Sequence, residues 1–226
     1  MRNVLTAFLI WLVPAAALAG PWPRQQGEIF VSVSYHAATD AVALWNLQLM
    51  PPETYTGIYA EYGLTPRLTF GLDGGFSEDG AYSAIVLARY ALGDPDAAMR
   101  YAVSLGAGRS GPPHETQVQI GAHVGRGLQL GERTGWASLD MAGIHRLDSS
   151  DFAAKADLTM GLNLSDTWTA ILQLQAGQYA GSAAYLRIAP SLVRTIGPRL
   201  KMELGLTGEV QGSRQVGAKL ATWISF

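Results

Sequence analysis

Residues 216–226 read V-G-A-K-L-A-T-W-I-S-F. Val216, Ala218, Leu220, Thr222, Ile224 and Phe226 fall at every second position and are apolar or small. The intervening set contains Lys219 and Ser225, with Gln215 just before. In a strand, successive side chains point to opposite faces, so this pattern gives one oily face and one polar face. Residues 199–211 repeat it. Leu200, Met202, Leu204, Leu206 and Val210 take one face; Arg199, Lys201, Glu203, Thr207, Glu209 and Gln211 take the other.

From Gly27 onward the two-residue period recurs, each time interrupted by turn residues. Twelve segments result: 27–36, 54–64, 67–77, 82–92, 98–109, 115–126, 134–147, 152–163, 167–178, 184–194, 199–211 and 214–226. Strands of about ten residues, in an even number, suit a tilted membrane barrel. The predicted fold is all-β, a transmembrane up-and-down antiparallel β-barrel of about twelve strands with both ends on the periplasmic side. Pro66-Arg67-Leu68-Thr69-Phe70-Gly71-Leu72 and Pro198-Arg199-Leu200-Lys201-Met202-Glu203-Leu204 start two strands with nearly the same phrase. That is the trace of a hairpin repeat.

The N-terminus supplies an address. Arg2, the apolar run Val4–Val13 and Ala17-Leu18-Ala19 match the basic, apolar and cleavage regions of a signal peptide. The apolar run is shorter than the ~20 residues a spanning helix needs. The expected organisation is a signal peptide at 1–19, cleaved near Ala19, and one barrel domain at 20–226. Gly20 stands where a lipoprotein would carry Cys, and the chain has no Cys. Disulfides, thiolate metal sites and a Cys nucleophile are therefore excluded. Charged residues make up 15% and the formal net charge is −2, which leaves no electrostatic footprint for nucleic acid. No cofactor or metal site is expected.

The alternation alone does not say which face points out; a soluble barrel would bury the oily one. The signal peptide and the aromatic rings near strand ends (Tyr35, Tyr62, Phe76, Tyr82, Tyr90, Tyr101, Phe152, Trp168, Phe226) favour lipid outside, the rings forming interfacial girdles. The inward ionisable residues are then Glu28, Glu61, Asp73, Asp140, Asp157, Glu203 and Glu209, with Arg89, Arg100, Arg146, Lys155, Arg187, Lys201 and Lys219. His36 and His123 also point inward, and His145 outward near the external rim. On the lipid face an Arg or Lys would cost about 2–4 kcal/mol at the midplane.

Two interiors fit this set: opposite charges that pair and fill the lumen, or a water-filled pore of mixed sign and weak selectivity. Gly71, Gly75, Ser83, Ala102, Ser104, Gly106, Gly108, Gly121, Gly125 and Gly161 are small inward residues, and they favour open space. The expected function is a narrow, weakly selective channel for small solutes. The loop at 37–53 is long and apolar, and Trp45, Leu47, Leu49 and Met50 within it are candidate gate residues. A short helix, or a lid that folds over or into the mouth, is expected within 41–50, with packing against the barrel rim favoured.

No catalytic residues are assigned. Ser34 with His36, and His145 with Ser149, Asp148 and Asp151, are the nearest approaches to hydrolase constellations. The first pair has no evident oxyanion or metal partner, and His145 faces outward on a short loop. A rim-active hydrolase is the third reading.

The final strand, ending on Phe226, resembles the closing strand of bacterial outer-membrane β-barrels. That resemblance implies outer-membrane lipid as surroundings and recognition of the terminal strand by the barrel-assembly machinery. Tyr62-Gly-Leu-Thr-Pro-Arg-Leu-Thr-Phe-Gly-Leu72 resembles a segment of outer-membrane proteins of the phenol-degradation (MetA-pathway) type. There a strand ends in Y-G-[LI]-[TS], turns, and restarts as R-[LF]-x-[LF]-G. The likeness implies uptake of small hydrophobic or aromatic molecules; with the 37–53 loop as gate, a gated uptake protein is the second reading.

Overall fold

A computed structural model describes residues 20–47, 52–179 and 181–226. The segment expected to be a signal peptide, and Leu49 and Met50, lie outside these residues. The strands are β1 (Ile29–Asp40), β2 (Glu53–Gly63), β3 (Leu68–Ser77), β4 (Tyr82–Leu92), β5 (Met99–Gly111) and β6 (Glu115–Leu130). They continue with β7 (Arg133–Arg146), β8 (Phe152–Asn163), β9 (Trp168–Gln178), β10 (Tyr185–Thr195), β11 (Leu200–Gln211) and β12 (Gln215–Ser225). Each pairs antiparallel with its sequence neighbours, and β1 pairs with β12, so the barrel is closed. Ile29 and Phe226 exchange both backbone hydrogen bonds at this seam, at 3.2 and 2.9 Å. Closure leaves no unpaired strand edge, as a lipid-embedded sheet requires.

Orientation follows the pleat. Leu204 is 65% exposed while its neighbour Glu203 is 3% exposed. Leu206, Val210 and Leu220 share the outer face. The oily stripes therefore form the outer wall. Arg109, Arg126 and Arg194 also occupy exposed outward positions. All three stand near strand ends, and Arg194 lies over the Trp168 ring at 5.4 Å, an arrangement suited to the interfacial girdle.

Two boundaries differ from the sequence reading. β1 runs on to Asp40, because Ala37 and Ala38 pair with Thr54 and Glu53 on one side and Ala37–Asp40 pair with β12 on the other. The expected turn at 127–133 is mostly strand: Gly127–Leu130 pairs with Arg133–Trp136, leaving Gly131 and Glu132 as the turn. Gly131 has φ +62°, a left-handed conformation that glycine adopts without penalty. The expected helix shrinks to α1 (Ala41–Trp45), capped by Asp40 Oδ1 accepting from the Ala43 N–H at 2.8 Å.

Candidate functional site: the lumen

The inward face is built in three zones. At the end that carries β1's start and β12's finish, residues 20–26 form a strap across the interior. Gly20 lies against Ser138 of β7; Pro21 and Trp22 fill the space over Gly125 of β6, where a Cβ would come within 2.6 Å of the Trp22 ring. The Arg24 N–H donates to Thr69 Oγ1 of β3 at 3.0 Å, and the Arg24 Nε donates to Glu61 Oε2 of β2 at 2.5 Å. In a ring of twelve, β7 stands opposite β1, so the strap spans the bore. Trp22 and Trp223 pack on a cluster of Trp136, Ile171 and Val193. An apolar patch inside a membrane barrel is thus used to seat the strap, whose Pro21 is fully buried.

Glu61 is the polar anchor of this zone. It accepts from Arg24 and from Tyr59 Oη, the latter at 2.5 Å, and pairs with Arg89. Arg24 also lies over the Phe30 ring at 4.3 Å and reaches Glu28 at 3.4 Å. Two guanidinium groups on one buried carboxylate satisfy charges that would otherwise be costly away from water.

The middle zone is a cavity of about 410 Å³ whose lining includes Asp73, Lys155, Asp157, Glu203, Lys219 and the strap residues Gly20 and Arg24. Lys219 Nζ donates to Glu203 at 3.0 Å. On another wall three strands bring Ser104, His123 and Asp140 into line. Ser104 Oγ is 2.9 Å from His123 Nε2, and His123 Nδ1 is 2.7 Å from Asp140 Oδ1. Ser138 Oγ donates to Asp140 Oδ2 at 3.2 Å. Gly121 stands opposite Ser104 in the ladder, and a Cβ there would run into Ser104 Oγ and come within 3.0 Å of His123 Nε2.

The mouth zone is a vestibule of about 880 Å³ lined by Tyr55, His36, Tyr179 and Arg187 among others. Tyr179 and Tyr185 stack at 6.3 Å, and the His36 ring stands edge-on to Tyr55 at 6.1 Å. Arg187 pairs with Glu209 at 2.7 Å, and Arg146 with Glu115 at 3.4 Å.

The sequence-selected residues are thus sorted by height. Glu28, Glu61 and Arg89 belong to the strap zone; Asp73, His123, Asp140, Lys155, Asp157, Glu203 and Lys219 to the cavity; His36, Arg146, Arg187 and Glu209 to the mouth. Lys201 takes an inward position of β11 at the strap end. Arg100 reaches back to the Asp94 carbonyl at 3.3 Å in the β4–β5 turn, so it sits at the rim and not on the bore. The sequence reading missed Trp22, Arg24, Trp136 and Trp223. The last two share the inward alternation with Asp140 and Lys219, a signal already in the pattern.

Two expectations need correction. Ser83 and Ser104 do line open space, but several of the inward glycines do not. A Cβ on Gly161 would collide with Trp136, on Gly75 with Tyr55, and on Gly71 it would lie 2.9 Å from Leu87 Cδ1; each glycine makes room for a larger neighbour. Trp45 and Leu47 do not pack on the rim, being 87% and 85% exposed, because α1 is too short to fold back over the mouth. At the outer rim, His145 Nδ1 lies 3.2 Å from the Asp151 carbonyl, and Asp148 accepts from the Thr116 N–H at 2.5 Å. Asp148 thus ties one strand's start to the next loop and does not face His145. Ser34 Oγ does lie 3.2 Å from His36 Nε2.

No family model and no curated protein matches the sequence. The fold is shared with outer-membrane channels. A KdgM porin solved with disordered oligogalacturonate superposes with a TM-score of 0.61 at 7% identity, over 86% of this chain and 99% of that one. An outer membrane channel from Pseudomonas putida F1 gives 0.59 at 12% identity, over 93% and 100%. The NanC porin gives 0.61 at 9%, over 86% and 98%.

Proposed function

We propose that the protein is an outer-membrane barrel that forms a narrow, weakly selective channel for small solutes. The observation that carries this is the combination of a closed barrel, oily outside, with cavities of about 410 and 880 Å³ lined by charges of both signs. A ring of one sign would discriminate between ions; an even mixture does not. The strap sets the narrowest point, and solutes pass beside it or displace it. Localisation to the outer membrane, after cleavage near Ala19 and assembly through the strand ending in Phe226, completes the reading.

Planar-bilayer recording of the refolded barrel tests it. Small, stable unitary steps with a cation–anion permeability ratio near one are expected. Heat-modifiable folding without any steps would mean a filled barrel and would overturn the channel reading.

A gated uptake protein for small hydrophobic or aromatic molecules is the second reading. The stacked Tyr179–Tyr185 pair and the neighbouring Tyr55 at the mouth favour it, since aromatic faces bind apolar rings. The phrase that resembles phenol-degradation barrels forms the β2–β3 hairpin at the strap end, away from this mouth. In this reading Trp45 and Leu47 are the first contacts for an arriving solute.

A further inference from the structure

We propose that Ser104, His123 and Asp140 form an acyl-transfer site on the lumen wall, with Ser104 as nucleophile toward small neutral esters that enter the cavity. The three side chains come from adjacent strands β5, β6 and β7, and their order and spacing are those the chemistry needs. Asp140 Oδ1 accepts from His123 Nδ1–H at 2.7 Å, which fixes the tautomer and leaves Nε2 as acceptor for the Ser104 hydroxyl at 2.9 Å. Ser138 holds the second carboxylate oxygen, so Asp140 is oriented from both sides.

Two further features distinguish this arrangement from an ordinary lumen hydrogen-bond chain. Gly121 is bare where any side chain would separate Ser104 from His123. Gln119, two residues earlier on the same face, is 9% exposed, lines the same cavity, and its Oε1 has no hydrogen-bond partner among the described residues. The two ends of a Gln amide exchange by rotation. Its NH₂ is thereby available as the donor that a tetrahedral oxyanion requires.

The cavity, about 410 Å³, lies within the range of small-molecule pockets. The strap bounds it on one side, so a ligand arrives from the mouth. The cavity lining carries four acidic and four basic side chains, an even mixture that selects no net charge.

The reaction balances with water alone. Ser104 Oγ bonds to the ester carbonyl carbon while its proton passes to His123 Nε2. The C–O bond to the leaving alcohol breaks as that proton is delivered to the departing oxygen. Water then attacks the acyl-serine, giving its proton to His123 Nε2, and the returned proton restores the Ser104 hydroxyl as the carboxylic acid leaves.

The test uses the refolded barrel in detergent and diisopropyl fluorophosphate, in which Ser104 Oγ replaces fluoride at phosphorus. One adduct per chain, located at Ser104 by peptide mass spectrometry, is expected. It should form at least 100-fold faster than on the heat-unfolded chain. Ser104→Ala should abolish it, and His123→Ala should slow it on the order of 100-fold, both with heat-modifiable mobility intact. Asp140→Asn should slow labelling about as much as His123→Ala while heat-modifiable mobility stays intact, whereas Asp157→Asn, on the same cavity wall but outside the three, should leave labelling unchanged, a split that a general structural role does not produce. If His123→Ala fails to fold, His123→Gln replaces it with the same expected loss. An adduct on another residue, no adduct on the folded barrel, or equal rates in wild type and the His123 variant overturns the proposal.

Discussion

Arg24 and Glu61 meet at 2.5 Å inside the barrel, the first from the strap and the second from the wall of β2, with Glu61 almost fully buried. Because Glu61 also pairs with Arg89, a single carboxylate answers two guanidinium groups. Glu61→Ala is therefore expected to destabilise the barrel by about 3–5 kcal/mol, as removal of one partner of a buried pair does. Urea unfolding in phospholipid vesicles reads this out. Adding Arg24→Ala to that variant should recover part of the loss, since one stranded charge is then gone; a further large loss would show that Arg24 acts through packing on Phe30.

Trp22 seats the strap on Trp136, Ile171, Val193 and Trp223. Trp22→Ala removes that seat, and deletion of residues 20–26 removes the whole crossing. Unitary conductance is expected to rise about twofold or more in the deletion and to become noisy in Trp22→Ala. Unchanged conductance in both would place the narrowest point elsewhere along the bore.

Leu204 and its neighbour Glu203 divide lipid from lumen on β11. Leu204→Arg is expected to cost about 2–4 kcal/mol of folding free energy in vesicles. Thr207→Arg, on the inward face, should cost clearly less. Equal costs would mean that Leu204 does not face acyl chains.

Trp45 and Leu47 stand in solvent at the mouth. Deleting residues 41–47 should leave heat-modifiable folding unchanged, because α1 contributes almost nothing to the barrel wall. If these residues receive aromatic solutes, the same deletion should weaken block by a small phenolic compound while leaving conductance for inorganic ions unaltered. Loss of ion conductance would instead assign them to the conducting path.

The strand count and facing of this molecule were legible because both depend on a local period of two, which Leu200–Gln211 displays with only Gly205 and Gly208 interrupting it. The orientation of Glu203 and Lys219 came from the same pattern. Less legible was what meets across the bore. Gly125 and Gly161 look like empty wall in the sequence, yet Trp22 and Trp136 occupy the space they leave. Such complementarity joins residues far apart along the chain and has no local signature. Ser104, His123 and Asp140 illustrate the same limit. Each was readable as inward-facing, but their alignment depends on the registers Ser104↔Gly121 and His123↔Asp140, which pairing alone establishes. The strap was hidden for another reason: residues 20–26 have no period at all, so only the burial of Gly20, Pro21 and Arg24 identifies it as interior.

The seam between Ile29 and Phe226 sets an order of events. β1 obtains its second neighbour only from β12, and until the two meet each exposes an open edge with unmet amide and carbonyl groups. Maturation is therefore all-or-nothing in space: two segments separated by the whole length of the wall must clasp along their full register before either has a partner on each side.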